Sequence, residues 1–479
     1  MSRGLLFLLP LVACSPSNAA TDGGADAGDA AAAFTYAPSG CPYTVTLPQL
    51  RGYLSPALDD ASPITNVAGA TPARVRVGLG GPSTGADATT SAAFTWDTPA
   101  QLNAAQVRIG TSPTALTTVQ KGYVWVTPPP TIGLGDTEAG ANMHEVHVCG
   151  LTPGTTYTYQ VGGGAPGQDV WSAAQTFTTL PSTGSITIGV SGDARDSATI
   201  FQLVQERMRD AAVSMQIFSG DLILFGAEES LFQAWLTAAW TDPQNASSFL
   251  TLGQELILPV AGNHEDSSAQ FYGNFALPGD GPYAESFFSV DIGSAHIVMF
   301  DDQQIAYDTP ADETAAALAF IDTDLTAAEQ NRAKVPFLLA VHHRSEFGNG
   351  ADSGDPDVIE ARNALNPLWD KHHVDLVING HEHDYERTQP MTGPPAAPVV
   401  QTSTTSGTTY VICGGAGANA DPPQSPASYD VSQMSYGGTT PYIGVYAFMT
   451  LAAHTLTWTA YGLEASGTDA TVDTFTLTR

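Results

Sequence analysis

The chain has 479 residues, more than one hydrophobic core usually serves, so at least two domains are expected. Apolar residues make up 43% and charged residues only 13%, which excludes a largely disordered chain. Acidic side chains outnumber basic ones 48 to 16, for a formal charge of −32, and this argues against a nucleic-acid partner, because phosphate-backbone binding draws on Lys and Arg.

Residues 1–14, MSRGLLFLLPLVAC, carry one Arg, an apolar run and then small side chains. This pattern predicts an export signal, too short to span a bilayer as a helix. Leu11-Val12-Ala13-Cys14 resembles the lipobox of bacterial lipoproteins, which implies cleavage before Cys14 and lipidation there; the alternative is an ordinary signal peptide cut further on. Residues 15–35, rich in Ala, Gly, Asp and Ser, are expected to form a flexible tether. No later apolar run approaches bilayer length, so membrane attachment is expected through lipid alone. Export also allows disulfides to persist: Cys41 and Cys149 can pair and leave Cys413 free, although spacing does not fix the connectivity.

Between residues 36 and 182, short alternating runs are separated by Gly, Pro and Thr. SAAFTWDT, AQVRIGTS, KGYVWVT, HEVHVCGL, TYTYQVGG and AAQTFTT read as strands of an antiparallel sandwich. The run Leu151-Thr-Pro-Gly-Thr-Thr-Tyr157-Thr-Tyr159-Gln-Val161 resembles the late-strand signature of fibronectin type III domains. An all-β immunoglobulin/fibronectin III-like domain is therefore expected here. By itself it carries no chemistry.

From residue 183 to 479, strands alternate with helices. ITIGVSGD, MQIFSGD, ELILPVAGNHE, PFLLAVHH and VDLVINGHEH read as strands, and SFFSVDI with AHIVMFD as a hairpin. Residues 198–210, ESLFQAWLTAAW, ETAAALAFIDTDL and ARNALNPLWDKH read as helices. After Tyr410, the runs TYVICGG, VYAFMTLAA, TLTWTAYG and TVDTFTLTR are expected as antiparallel strands. They complete an α/β fold of four layers, α/β/β/α, with two sheets flanked by helices.

Four of these strands end alike, in an apolar run, a Gly and a potential metal ligand. They are Ser191-Gly192-Asp193, Ser219-Gly220-Asp221, Ala261-Gly262-Asn263-His264-Glu265 and Asn379-Gly380-His381-Glu382-His383. In layered α/β folds the carboxyl ends of strands converge on one crevice, so the four together point to a metal centre where any one alone reads as a turn.

Their order matches the calcineurin-like metallophosphoesterases, and His381-Glu-His383-Asp-Tyr385-Glu386-Arg387 resembles the purple acid phosphatase version. The resemblance implies two metal ions: Asp193 and His383 on one, Asn263, His381 and a further His on the other, and Asp221 bridging. A bridging carboxylate offsets the repulsion between cations ~3.5–4 Å apart. The further His comes from Val341-His342-His343. Adjacent strand residues face opposite ways, so only one of the two is expected as a ligand, with His342 slightly preferred over His343.

The resemblance also implies that His264 lies over the substrate as the acid for the leaving oxygen, the alternative being a hydrogen-bond partner of a ligand. Glu265 is expected to orient its loop, and Tyr385 and Arg387 to brace theirs. Two positions depart from the relatives. Leu224 stands where purple acid phosphatases carry the Tyr that colours their iron, and Arg195 where other metallophosphoesterases carry a ligand His. One cation therefore lacks a protein ligand, with water or Asp196 as replacements, no purple colour is expected, and Fe, Zn and Mn all remain compatible. Arg195 can instead hold a phosphate oxygen, or pair with Asp196 or a surface carboxylate.

The function implied is that of an exported binuclear phosphatase hydrolysing small phosphomonoesters by attack of a metal-bridging hydroxide. The alternatives are a phosphodiesterase of the same fold and a surface binding protein with a degenerate metal site.

Overall fold

The computed structural model describes residues 34–46, 53–65, 68–82, 87–129, 140–241, 250–279, 285–306, 309–402, 406–421 and 425–479. The expected export signal and almost all of the expected tether lie outside the described residues.

Two mixed sheets face each other in the C-terminal part. In the first, Ile186–Ser191, Met215–Phe218 and Leu256–Pro259 run parallel, and Tyr442–Ala452, Thr455–Glu464 and Ala470–Thr478 extend it as an antiparallel meander. In the second, Ala295–Phe300, Phe337–Val341, Leu376–Asn379 and Thr409–Cys413 run parallel. Phe287–Ile292 closes one edge of that sheet, and Tyr385–Thr388 with Asp430–Met434 closes the other. The TYVICGG run thus differs from expectation. It pairs in parallel with Leu376–Asn379, and only its far edge is antiparallel, because the unforeseen strand Tyr385–Thr388 occupies that slot.

Central strands of this kind are apolar on both faces, and alternation sorts their side chains. Phe337, Leu339 and Val341 point between the sheets, into one cluster with Ile188, Val190, Ile217 and Leu258. Leu338 and Ala340 point the other way, against Ala317, Ile321, Leu325, Ala361, Leu365 and Trp369 of the helices Ala311–Glu329 and Pro356–His372. On the outer side of the first sheet, the helices Ala198–Asp210 and Glu229–Trp240 bury Phe201, Val204, Met208 and Phe232. Each such large side chain contributes roughly 1.5–3 kcal/mol on burial. Local signals set the helix ends: the Ser197 hydroxyl accepts from the Ile200 N–H, and Pro356 opens its helix where no N–H partner is needed. The result is the α/β/β/α order.

The N-terminal sandwich packs Val75, Val77, Phe94, Trp96, Val107, Ile109, Tyr159 and Val161 between two sheets. Cys41 and Cys149 are bridged across 108 residues of sequence, while Cys413 is free and buried. One of the sandwich sheets does not end within the sandwich. Ala73–Gly78 pairs in parallel with Leu256–Pro259 at Val77 and Leu256, which makes a single eleven-stranded sheet. Arg76, 1% exposed, stitches the junction: it donates to Asn274 O at 2.8 Å and to Asn274 Oδ1 at 3.1 Å, and pairs with Asp97 at 3.3 Å.

Candidate metal centre

The four Gly-ending strands deliver their polar residues through unusual backbone. Asp193, Asp221 and His381 are all left-handed, at φ 56°, 54° and 72°. Side chains other than Gly adopt this region at a cost of order 1–3 kcal/mol, and such residues cluster at functional sites. The glycines of the motifs give the room. A Cβ at Gly262 would lie 2.2 Å from Oδ1 of Asp221, and one at Gly380 would lie 2.3 Å from Oδ2 of Asp193.

Donor atoms of Asp193, Asp221 and His343 lie within 4.8 Å of one another, and all three residues are buried. His343 donates Nδ1–H to Ser219 O at 2.8 Å, which turns Nε2 towards Asn263 Oδ1 at 2.9 Å and Asp221 Oδ1 at 3.2 Å. His381 Nδ1 lies 3.0 Å from the same Asn263 oxygen, and its Nε2 is buried without a partner. His383 donates Nδ1–H to Asn419 O at 2.7 Å and holds Nε2 3.8 Å from Asp193 Oδ1. His264 donates Nδ1–H to Leu224 O at 2.7 Å, with Nε2 3.8 Å from Asp221 Oδ2. Arg195 reaches between the last two imidazoles: Nη2 lies 2.9 Å from His383 Nε2, Nη1 contacts His264 Nε2, and Nε lies 3.8 Å from Asp221 Oδ2.

The crevice therefore gathers Asp193, Arg195, Asp221, Asn263, His264, His343, His381 and His383. His342 is not among them. It follows the parity of Leu338 and Ala340 onto the helix side, where its ring stacks on Phe300 at 4.8 Å. There Nδ1 faces Asp302 at 3.0 Å and Nε2 faces Glu346 at 3.1 Å. The preference for His342 is corrected in favour of His343 on this physical ground: residues 337, 339, 341 and 343 share the face between the sheets.

Supporting side chains complete the frame. Glu265 accepts from the N–H of Asp221 and of Gly262, each at 2.8 Å, and from Ile223 N–H at 3.1 Å, so it holds two ligand-bearing loops together. Tyr385 and Arg387 both engage Asp473 and brace the turn. Asp196 accepts from Asn419 N–H and takes no part in the cluster. Asp302, which the sequence did not single out, accepts from Arg344 N–H at 2.6 Å as well as facing His342, and so fixes the turn that presents His343.

Electrostatics separates the two carboxylates. Burial disfavours the charge on both, but at Asp221 the neighbouring His343, His264 and Arg195 overcome it and hold the carboxyl well below its usual range. At Asp193 burial wins, with Asp221 adding repulsion, and the carboxyl is pushed well above its usual range. Burial, then the charge of His343, depresses His381 to about 3. The donor set fits cations. Two carboxylates, an amide oxygen and imidazole nitrogens, one of them orphaned, converge, and mixed N/O sets of this kind suit Fe, Zn and Mn.

Residues 72–179 match the family described as purple acid phosphatase, N-terminal domain, and residues 186–385 match the calcineurin-like phosphoesterase family. Purple acid phosphatase 21 of Arabidopsis thaliana is 28% identical over 309 residues, covering 62% of this chain and 64% of its own length. Acid phosphatase type 7 of Homo sapiens is 27% identical over 280 residues, 52% of this chain and 57% of its own. The chain thus spans less than two thirds of either relative. Among solved structures, the purple acid phosphatase PPD1 from yellow lupin (Lupinus luteus) seeds superposes with a TM-score of 0.66 at 18% identity, covering 85% of this chain and 74% of its own, which supports the fold. Fold, domain order and motif content agree: the chain is a purple acid phosphatase-like member of the calcineurin-like metallophosphoesterase superfamily.

Proposed function

We propose that the chain is a metal-dependent phosphoric ester hydrolase that cleaves small phosphomonoesters at a binuclear centre. The observation that carries this reading is the convergence of Asp193, Asp221, Asn263, His343, His381 and His383 on one crevice. Asp193 and His383 would hold one cation, Asn263, His343 and His381 the second, and Asp221 both. When bound, the cations supply Lewis-acid polarisation of the phosphoryl group and acidify water.

The chain's own residues do the rest. Arg195 leaves His383 and offers two N–H groups of its guanidinium to phosphate oxygens, a geometry suited to the charge that builds there. His264 keeps its Nδ1–H on the Leu224 carbonyl, so Nε2 is the atom that carries a proton to the leaving oxygen. In keeping with an exported enzyme, the Cys41–Cys149 bridge belongs in an oxidising compartment, and we place the protein in the cell envelope through a lipid on Cys14.

The test compares a mono-aryl phosphate with a bis-aryl phosphate on protein loaded with Fe, Zn or Mn. The monoester should turn over faster, and Asp221→Asn should abolish the activity. Faster cleavage of the diester would replace the monoesterase reading, and full activity in Asp221→Asn would overturn the centre itself.

A further inference from the structure

Two of the loops that bear metal ligands continue into the walls of a groove of about 410 Å³, a size that small ligands occupy. Asp266 and Ser267 form one wall, just beyond His264, and the Asp266 N–H donates to the Gly262 carbonyl at 3.2 Å. Both are left-handed, at φ 48° and 50°, so the chain turns sharply as it leaves the ligand loop. Arg344, which directly follows His343, and Asp357 form a second wall. Gln303, Gln304 and Glu313 form a third, from the short turn Asp302–Gln304 and the first turn of the helix Ala311–Glu329.

Charge excludes one class of occupant. Three carboxylates, Asp266, Glu313 and Asp357, line the groove with a single guanidinium, that of Arg344. The guanidinium is already spent: it donates from Nε to Asp357 Oδ2 at 2.7 Å and from Nη1 to Asp302 Oδ1 at 2.5 Å. A ligand with a negative charge beyond its phosphoryl group is therefore repelled. The side-chain types exclude another class. Among the described lining residues none is aromatic and Pro310 alone is apolar, so a nucleobase or an aryl ring finds no face to stack on.

What remains is hydrogen bonding. Gln303 Nε2 donates to Asp266 Oδ1 at 3.2 Å and Gln304 Nε2 to Ser267 Oγ at 3.3 Å, which orients both amides. Among the described residues no donor engages either amide oxygen, and each amide keeps a second N–H. Carboxylates that accept, beside amides that both donate and accept, match hydroxyl groups, each of which does both.

We propose, resting on the hydrolase reading above, that this groove receives the alcohol part of the substrate and selects phosphomonoesters of neutral, polyhydroxylated alcohols, of the sugar or polyol phosphate kind. Arg195 holds phosphoryl oxygens, and the leaving oxygen takes its proton from His264 Nε2 as its bond to phosphorus breaks and water supplies the new one. The hydroxyls beyond that oxygen fall to Gln303, Gln304, Asp266 and Glu313.

The experiment uses the full chain loaded with Fe, Zn or Mn and compares kcat/KM for esters of primary alcohols with similar leaving oxygens: a hexose monophosphate, n-hexyl phosphate and a hexose bisphosphate. An aryl phosphate reports whether the centre works at all. The hexose monophosphate should exceed each of the other two by about tenfold, the worth of one or two neutral hydrogen bonds. Gln303→Leu should lower the ratio of hexose to hexyl ester about threefold to tenfold. Glu313→Lys should raise the ratio of bisphosphate to monophosphate by about tenfold, because a repelling charge becomes an attracting one. Should Gln303→Leu not fold, Glu313→Lys, at a half-buried helix position, carries the test alone. Equal or better use of n-hexyl phosphate or of the bisphosphate by the wild type, or ratios that neither substitution moves, would overturn the groove and leave the hydrolase standing. Loss of turnover on every ester, aryl phosphate included, would overturn the hydrolase reading and the groove with it.

Discussion

Arg195 donates from Nη2 to Nε2 of His383 across 2.9 Å, so the lone pair that a cation beside Asp193 would use is already engaged. Guanidinium and metal compete for one nitrogen. Removing the guanidinium should therefore have opposite effects on metal and on substrate.

Arg195→Ala should tighten binding of the second metal equivalent in a calorimetric titration. It should also lower kcat/KM for an aryl phosphate by roughly 10–100-fold, the worth of a hydrogen bond to a charged group at about 1.5–3 kcal/mol. A variant that binds metal no better and turns over normally would remove Arg195 from the site.

His264 touches the cluster through Arg195 and Asp221, while its Nδ1–H is committed to the Leu224 carbonyl. His264→Ala should retain both metals and slow turnover on the order of 10²–10⁴-fold, most for substrates with poor leaving groups. Loss of a metal equivalent would make it a ligand.

His342 and His343 are neighbours with separate tasks. His343→Gln should lower metal content. His342→Gln should leave the ligand set in place yet destabilise the fold by about 3–5 kcal/mol, because Asp302 and Glu346 lose their buried partner. Metal analysis paired with denaturant unfolding separates the two outcomes.

His296 lies between Asp291 and Asp324, at 2.8 Å from each. Burial opposes its charge, but the hydrogen bonds its ring donates to the two carboxylates raise it from 6.5 to about 9. A group raised on folding stabilises fully below its unfolded value, so this contribution should be present at pH 6 and fade as the pH passes through 9. The Tm difference between wild type and His296→Gln should shrink over that interval. A constant difference would mean that His296 is uncharged throughout.

The sandwich and the catalytic layers share one sheet, and Arg76 is buried at their junction with Asp97 and Asn274. Arg76→Ala should cost about 3–5 kcal/mol and leave unfolding a single transition. Two separate transitions in the wild type would show that the halves melt independently.

Much of the layer order is legible in the sequence. The helices Ala198–Asp210 and Glu229–Trp240 appear where apolar spacing places them, because each packs one face on a sheet. The strand Tyr385–Thr388 is not legible: Glu386 and Arg387 look like solvent-facing residues, and only distant partners, Gln433 and Asp473, make their burial tolerable. Parity offered a signal for His343, since Phe337, Leu339 and Val341 already define the inner face. Asp302 gave none, because its role depends on Arg344 and His342, which lie 40 or more residues away. Pairing of Val77 with Leu256 is equally non-local.

The left-handed backbone at Asp193, Asp221 and His381 sets the protein's stability against its chemistry. Asn tolerates this conformation better than most residues, and Gly adopts it freely. Replacing Asp193 by Gly, where burial already opposes the charge, should therefore inactivate the protein without weakening it, and selection for heat resistance alone would erode that end of the crevice before it touched the core.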